Sequence, residues 1–108
     1  MISVSKEQRT TKYLPIDLSY KLNTNEILDS ATASAVVISN VTTGQAVVHN
    51  MTVSVSSVDS NTNTVLVSIG PGGEVGHSYL LKVGISTDST ALCPYVATIE
   101  EQVELAIV

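Results

Sequence analysis

A glycine-rich turn followed by a strictly alternating segment constrains the fold more than any other feature of this sequence. The turn has four glycines within residues 70–76, and the segment begins at Tyr79. A period of two between apolar and polar residues is the pattern of a half-buried β-strand. A tyrosine that opens such a strand after a turn is typical of a β-sandwich corner, where its hydroxyl bonds back to upstream backbone. The sequence therefore predicts a sandwich strand whose buried face carries Tyr79, Leu81, Val83 and Ile85.

Shorter alternating runs predict further strands, separated by turn residues. In the first run Pro15 suits a sheet edge or a strand start, because proline has no N–H to donate. Turn signals recur without helical stretches between them, which favours an antiparallel sandwich over alternating strands and helices. The predicted strands lie at residues 13–22, around 33–40, within 46–58 as one strand or two, and at 64–69, with turns at 23–26, 42–45, 59–63 and 88–90.

The two ends of the chain are less regular. Residues 1–12 are polar and show no apolar periodicity, so we expect an extended N-terminal arm, followed by one domain over residues 13–108. Near the C-terminus, Val103, Leu105 and Ile107 alternate as in a strand. Residues 98–101 also match a helix capping box, which leaves a helix open there. A strand is favoured, because a sandwich needs a last strand beside the Tyr79 strand.

Composition and charge narrow the function classes. Val, Ser and Thr supply 42 of 108 residues, which favours β-structure in a single domain. The net charge is −5, with only five Lys or Arg residues, and this argues against nucleic acid and anionic membranes as partners. No apolar run approaches the roughly 18 residues of a membrane span, and no signal-peptide core is present at the N-terminus.

Residues capable of chemistry are few and poorly spaced. His49 and His77 have no ligand partner at metal-binding spacing. The single Cys93 is expected to be a small buried residue rather than a nucleophile. The glycine turn lacks the Lys and Ser or Thr of a phosphate loop. The acidic cluster of Glu100, Glu101 and Glu104 is expected to be a solvated face. We therefore predict no catalytic residue, no metal site and no cofactor. Tyr13, Tyr20 and Tyr95 leave sugar recognition open, since exposed aromatic rings can serve as binding platforms.

Four segments in order along the chain resemble one known family. They are Tyr20 to Leu22, Asn25 to Ser30, Thr64 to Gly70 and Gly73 to Tyr79. Together they are similar to the small immunoglobulin-like proteins encoded in the structural gene clusters of tailed bacteriophages. The resemblance extends over about residues 12–108.

This resemblance implies both a fold and a role. The implied fold is all-β, a single immunoglobulin-like antiparallel sandwich of about seven strands with an extended N-terminal arm. The implied role is that of a non-enzymatic virion protein, a head decoration or head-associated component of the capsid or neck, assembled in multiple copies in the host cytoplasm. Its expected partners are the major capsid protein or neck proteins and copies of itself. The alternative is an adhesin or carbohydrate-binding immunoglobulin-like module.

Overall fold

The computed structural model describes residues 2–22, 26–29, 32–46, 51–89 and 95–108, and only the backbone of residues 88–89 and 95–97. Within these residues the protein is all-β, as predicted, and no helix is long and apolar enough to cross a membrane. One short 3-10 turn, Ser19–Lys21, interrupts the strands. The strands are β1 (Ile2–Lys6), β2 (Lys12–Asp17), β3 (Glu26–Leu28), β4 (Ser34–Asn40), β5 (Val53–Asp59), β6 (Thr64–Ile69), β7 (Ser78–Ser89) and β8 (Tyr95–Ile107).

The strands form two sheets. One has the order β1-β8-β7, and β3 and β4 both pair with the far side of β7, one after the other along its length. The second sheet has the order β2-β6-β5. Only β1 and β8 are parallel; the other described pairs are antiparallel. This is the partition of an immunoglobulin sandwich, in which β2, β6 and β5 take the places of strands B, E and D, and β4, β7 and β8 those of C, F and G.

The core lies between β6 of one sheet and the pair β7 and β8 of the other. Every second described side chain on these strands points inward and is at most 8% exposed. Each fully buried Val, Leu or Ile among them contributes about 1.5–3 kcal/mol by leaving water. The predicted buried face of β7 is thereby confirmed. The inward residues of the three strands include Val65, Val67, Ile69, Leu81, Val83, Ile85, Val103, Leu105 and Ile107.

The corner before β7 has the predicted geometry. The side chain of Tyr79 is 5% exposed, and its hydroxyl accepts a hydrogen bond from the Glu74 backbone N–H at 3.0 Å. The Gly76 N–H donates to the carbonyl of Ile107 at 2.8 Å, which ties the turn to the last residue of β8. The predicted hydrogen bond between the tyrosine hydroxyl and upstream backbone is confirmed. The glycines serve the turn through their backbone conformation, since Gly72, Gly73 and Gly76 have positive φ.

The N-terminal segment differs from the prediction. Ile2–Lys6 do not form a separate arm, because they are strand β1, paired along β8 from Ile2 opposite Val103 to Lys6 opposite Ile107. The side chain of Lys6 is only 4% exposed, and its Nζ donates to the backbone carbonyls of residues 7, 8 and 10. A lysine can bury its aliphatic stem when its charged end finds acceptors. The N-terminal segment, predicted to be a polar arm, therefore contains a strand with one face packed against the core.

Smaller differences concern strand boundaries. The first predicted strand ends at Asp17, whose Oδ1 accepts from the Ser19 N–H and begins the 3-10 turn. Pro15 lies on an edge strand, as expected. Asp59 Oδ1 accepts from the backbone N–H groups of the predicted loop at residues 59–63.

The remaining boundary differences lie in β3, β7 and β8. Glu26, Asp88 and Ser89, expected in turns, belong to strands. The C-terminal segment is the strand β8, so the helix left open there is excluded. Residues 47–50, part of the run whose division was left open, lie outside the described residues.

Candidate functional site

The candidate chemical residues do not converge in the part of the chain that the structure describes. His77 lies at the corner, where its Nδ1 is 3.0 Å from Asn40 Nδ2 and its Nε2 is 3.4 Å from the exposed Glu74 carboxylate. Because Asn40 Oδ1 already accepts from the N–H groups of Thr42 and Thr43, its amide nitrogen must face the ring. His77 thus joins the corner to the end of β4. His49 and Cys93 lie outside the described residues.

Metal ligands also fail to gather in the described residues. No three His, Cys, Asp or Glu side chains there are placed to hold a metal ion. The three glutamates of the acidic cluster lie on opposite faces of β8. Glu100 points to solvent and pairs with Lys82 at 3.0 Å, whereas Glu101 points inward and is 8% exposed. Successive side chains on a strand alternate between faces, so Glu101 cannot share a site with Glu100 or Glu104. The predicted solvated face is correct for Glu100 and wrong for Glu101.

Glu101 anchors the connection between β2 and β3 to β8. Its carboxylate accepts a hydrogen bond from the Tyr20 hydroxyl and lies 3.6 Å from Lys21 Nζ. Lys21 Nζ also donates to the carbonyl of Glu100 at 2.7 Å. The Tyr20 hydrogen bond lowers the pKa of Glu101 and, with help from Lys21, outweighs the opposing effect of burial. The same hydrogen bond raises the pKa of Tyr20. The contacts with Tyr20 and Lys21 favour the ionised form of the Glu101 carboxylate. They also attach the segment after β2, in the smaller sheet, to β8 in the larger sheet.

The tyrosines do not form a single binding platform. Tyr13 is 60% exposed and lies near the start of β2, opposite Ser68. Tyr20 is 69% exposed but lies beyond the other end of β2, with its hydroxyl on Glu101. The side chain of Tyr95 is not described. Of the tyrosine side chains that the structure describes, Tyr13 is therefore the one that presents its ring on an open sheet face.

Exposed apolar side chains concentrate on one edge of the larger sheet. In the described residues eight large hydrophobic side chains are exposed, and four of them lie on β3, on β4 or on the residue after β4. We call this surface, residues 26–28 and 34–41, the β3–β4 edge. The remaining four are scattered over the turns, the chain end and the other sheet. The four on the edge are Ile27 (48% exposed), Val36 (51%), Ile38 (37%) and Val41 (48%).

The β4 part of the β3–β4 edge, residues 34–41, carries no charged residue and no proline, whereas β3 carries the buried Glu26. Edge strands expose unpaired backbone N–H and C=O groups, and proteins commonly protect them with charges, prolines or bulges. The edge strand β2 carries Lys12, Pro15 and Asp17, whereas β4 carries no charge and no proline. In the described residues β4 forms a ladder with β7 only; Asn40 also bridges to Gln45, and β5 of the smaller sheet contacts β4.

A bulge and a shallow depression shape this edge. The register of β4 against β7 shifts between Val37 and Ser39, so the regular part of the strand is Ser34–Val37. Beside Val36, on the outer sheet face, lies an open depression of about 220 Å³. Gly84 lines this depression and has no side chain to fill it. A Cβ placed on Gly84 would have Ser34 Oγ, at 3.8 Å, as its nearest neighbour. The edge and the depression together form a continuous surface on this side of the sandwich.

Residues 2–6 of the expected N-terminal arm form β1, and the exposed apolar side chains concentrate on the β3–β4 edge. A signal for this was present in the sequence, since residues 35–38 are four consecutive apolar residues, Ala-Val-Val-Ile, rather than an alternating run. A strand with apolar residues on both faces is either buried on both sides or leaves one apolar face exposed to solvent. In β4 the face that carries Val36 and Ile38 is exposed.

Comparison with known protein families, with curated proteins and with solved structures found no match for this chain. The interpretation of the β3–β4 edge therefore depends on its own geometry and chemistry.

Proposed function

We propose that this protein is a non-enzymatic structural component of a tailed-bacteriophage virion. In this role it is a head decoration or a head-associated protein of the capsid or neck, present in multiple copies. Its partners are the major capsid protein or neck proteins and further copies of itself. The proposal starts from the sequence resemblance over about residues 12–108, and the observation that carries it is the group of four exposed apolar side chains on the β3–β4 edge.

Exposed apolar side chains favour assembly for a physical reason. A partner that covers them removes apolar surface from water. The exposed side chains of Val36 and Ile38 would each contribute on the order of 1 kcal/mol or more on full burial. A rigid subunit with such a surface suits repeated, ordered contacts better than it suits a reaction that needs converging polar groups.

A second candidate function is carbohydrate binding, and one observation favours it. Tyr13 is 60% exposed on the outer face of β2, next to the flat ring of Pro15 two residues further along the same face. Exposed aromatic rings stack on flat ligand surfaces. Binding to a glycan array that is lost in Tyr13→Ala but retained in Tyr20→Ala would support this function over the first.

The proposed function is tested by adding the purified chain to phage particles assembled without it. We expect the chain to sediment with the particles in a saturable way, with many copies bound per particle. Tailless debris and an unrelated protein of similar charge serve as controls. If the chain stays in the supernatant at every concentration, the proposed function is wrong.

A further inference from the structure

We infer that β1 and β8 form a mechanical clamp, which keeps the sandwich folded when the two ends of the chain are pulled apart. The clamp is the ladder between the first strand, Ile2–Lys6, and residues 103–107 of the last strand. Resistance to tension along the chain goes beyond the proposed function and does not depend on it.

The clamp lies where tension on the chain first acts. β1 is the first strand and β8 the last, and the two are neighbours in the larger sheet. A pull on the chain before Ile2 therefore acts on β1, and a pull on the chain after Ile107 acts on β8. The ladder between these two strands directly links the points where the two forces enter the fold.

Parallel pairing decides the direction of the load. Because β1 and β8 are parallel, the N-terminal end of β1 and the C-terminal end of β8 lie at opposite ends of the ladder. The two pulls then act along the strands in opposite directions and strain all the hydrogen bonds of the ladder together. If the first and last strands were antiparallel, both pulls would act at one end and open the bonds one after another. A single backbone hydrogen bond contributes little, so the shared loading is what gives the ladder its strength.

The alternation of side chains prevents β1 from sliding by one residue. Ile2 and Val4 pack against the core and Lys6 is buried, whereas Ser3 and Ser5 are exposed. A shift by one residue would turn both serines inward and the inward side chains outward, because every side chain then changes face. The register of the clamp is therefore fixed by its own sequence.

The C-terminal end of β1 is fixed to the corner turn, which opposes a slip by two residues. The Val108 N–H donates to the Lys6 carbonyl at 3.0 Å and extends the ladder. The carbonyl of Gln8 accepts from the Gly72 N–H at 2.7 Å, and Gln8 Nε2 donates to the Gly73 carbonyl at 2.8 Å. A slip would draw the Lys6 ammonium away from the carbonyls that it binds in this turn, and a buried ammonium without acceptors is costly. β1 therefore leaves the sheet as a unit.

β1 is also the strand that gives way, because β8 is held more firmly on its other side. The antiparallel ladder between β7 and β8 has twelve residue pairs, from Ser78 opposite Ala106 to Ser89 opposite Tyr95, whereas the ladder between β1 and β8 has five. The shorter ladder breaks first under a common load. Its strength therefore sets the force at which the chain unfolds.

The first test pulls single full-length chains in two directions, both in a Cys93→Ser background. Holding the chain by its two ends loads the clamp along the strands. Holding it by its N-terminus and by Gln102→Cys loads the clamp from one end, because the exposed Gln102 precedes Val103, the partner of Ile2. At one pulling speed we expect the rupture force to be at least about twofold higher in the end-to-end direction, since the bonds of the ladder must then break together. Equal rupture forces would overturn the clamp.

The second test separates mechanical strength from stability at rest. Val4 in the clamp and Val55 on β5 are both partly buried against the core. Under constant end-to-end force we expect the lifetime of the folded chain to fall about fivefold in Val4→Ala, because a substitution speeds unfolding when its contacts are lost in the transition state. Val55→Ala should keep the wild-type lifetime, although urea unfolding should show a comparable loss of stability in both variants.

The clamp and the proposed function fail separately. An unchanged lifetime in Val4→Ala, or an equal fall in both variants, overturns the clamp, since force would then act on the fold as a whole. Neither result depends on binding to phage particles, which the sedimentation of the chain with particles measures.

Discussion

At the scale of single residues, the corner around Tyr79 depends on two glycines with the same backbone conformation and different surroundings. Gly73 has φ +81° and Gly76 has φ +85°. A Cβ on Gly73 would lie 2.9 Å from Cγ1 of Ile107 and 3.2 Å from Cε2 of Tyr79, whereas a Cβ on Gly76 would meet no atom within 4 Å. The first glycine is needed for both its conformation and its small size, and the second for its conformation alone.

This pair gives a matched test of the corner. We expect Gly76→Ala to lower the free energy of unfolding by about 1–2 kcal/mol, the cost of a left-handed alanine. Gly73→Ala should cost about 1–3 kcal/mol more, because Tyr79 or Ile107 must move to admit the methyl group. Urea unfolding of both variants measures the difference. Equal losses would show that the corner is not packed against Gly73 as described.

Glu101 is the second residue whose environment makes a measurable prediction. Its ordinary pKa is 4.5, and the hydrogen bond from Tyr20 lowers the pKa in the folded chain. A carboxyl group whose pKa is lower in the folded state stabilises the fold fully above its unfolded pKa. This stabilisation is lost as the pH falls through the folded pKa.

We therefore expect the free energy of unfolding to fall between pH 6 and about pH 3, with part of the fall due to Glu101. Tyr20→Phe removes the main cause of the lowered pKa and should make that fall smaller. Tyr13→Phe, whose hydroxyl is not near Glu101, is the control and should behave as the wild type. Urea unfolding at several pH values measures the slope, and equal slopes for the two variants would contradict the assigned contact.

At the scale of elements, β1 illustrates what local pattern can and cannot predict. The alternation of apolar and polar residues predicts β6 and the first part of β7, because the inward side chains of residues 65–69 and 79–85 are all hydrophobic. The inward position of Lys6 depends on three carbonyls in the following turn, and the sequence pattern does not record that arrangement. The open edge also depends on the order of strands in the sheet. A run such as residues 35–38 indicates an extra apolar face but does not say which neighbour covers it.

Deletion of residues 1–6 tests whether this segment is a strand of the sheet or a free arm. A free arm could be removed without effect on stability, whereas loss of β1 uncovers one side of β8 and removes the partly buried Ile2 and Val4 from the core. We expect the free energy of unfolding to fall by at least about 2 kcal/mol. As a control, Ser3→Lys and Ser5→Lys change only exposed positions of β1 and should have small effects. Unchanged thermal unfolding of the truncated chain would contradict the pairing of β1 with β8.

At the scale of the whole molecule, half of the exposed large apolar side chains in the described residues lie on the β3–β4 edge. The corner and the contact between Glu101 and Tyr20 hold the two sheets together, β1 extends the larger sheet beside β8, and none of them involves the exposed apolar side chains of the β3–β4 edge. The residues that make the fold rigid are therefore separate from those proposed to make contacts. This separation is consistent with a subunit that joins an assembly without changing its fold.

Cryo-electron microscopy of phage particles assembled with this chain tests the central claim most directly. We expect density for the sandwich at many symmetry-related positions on the head or neck, with the exposed apolar side chains of the β3–β4 edge covered by a neighbouring protein. Particles that carry no such density, together with a purified chain that neither binds them nor associates with itself, would contradict the account.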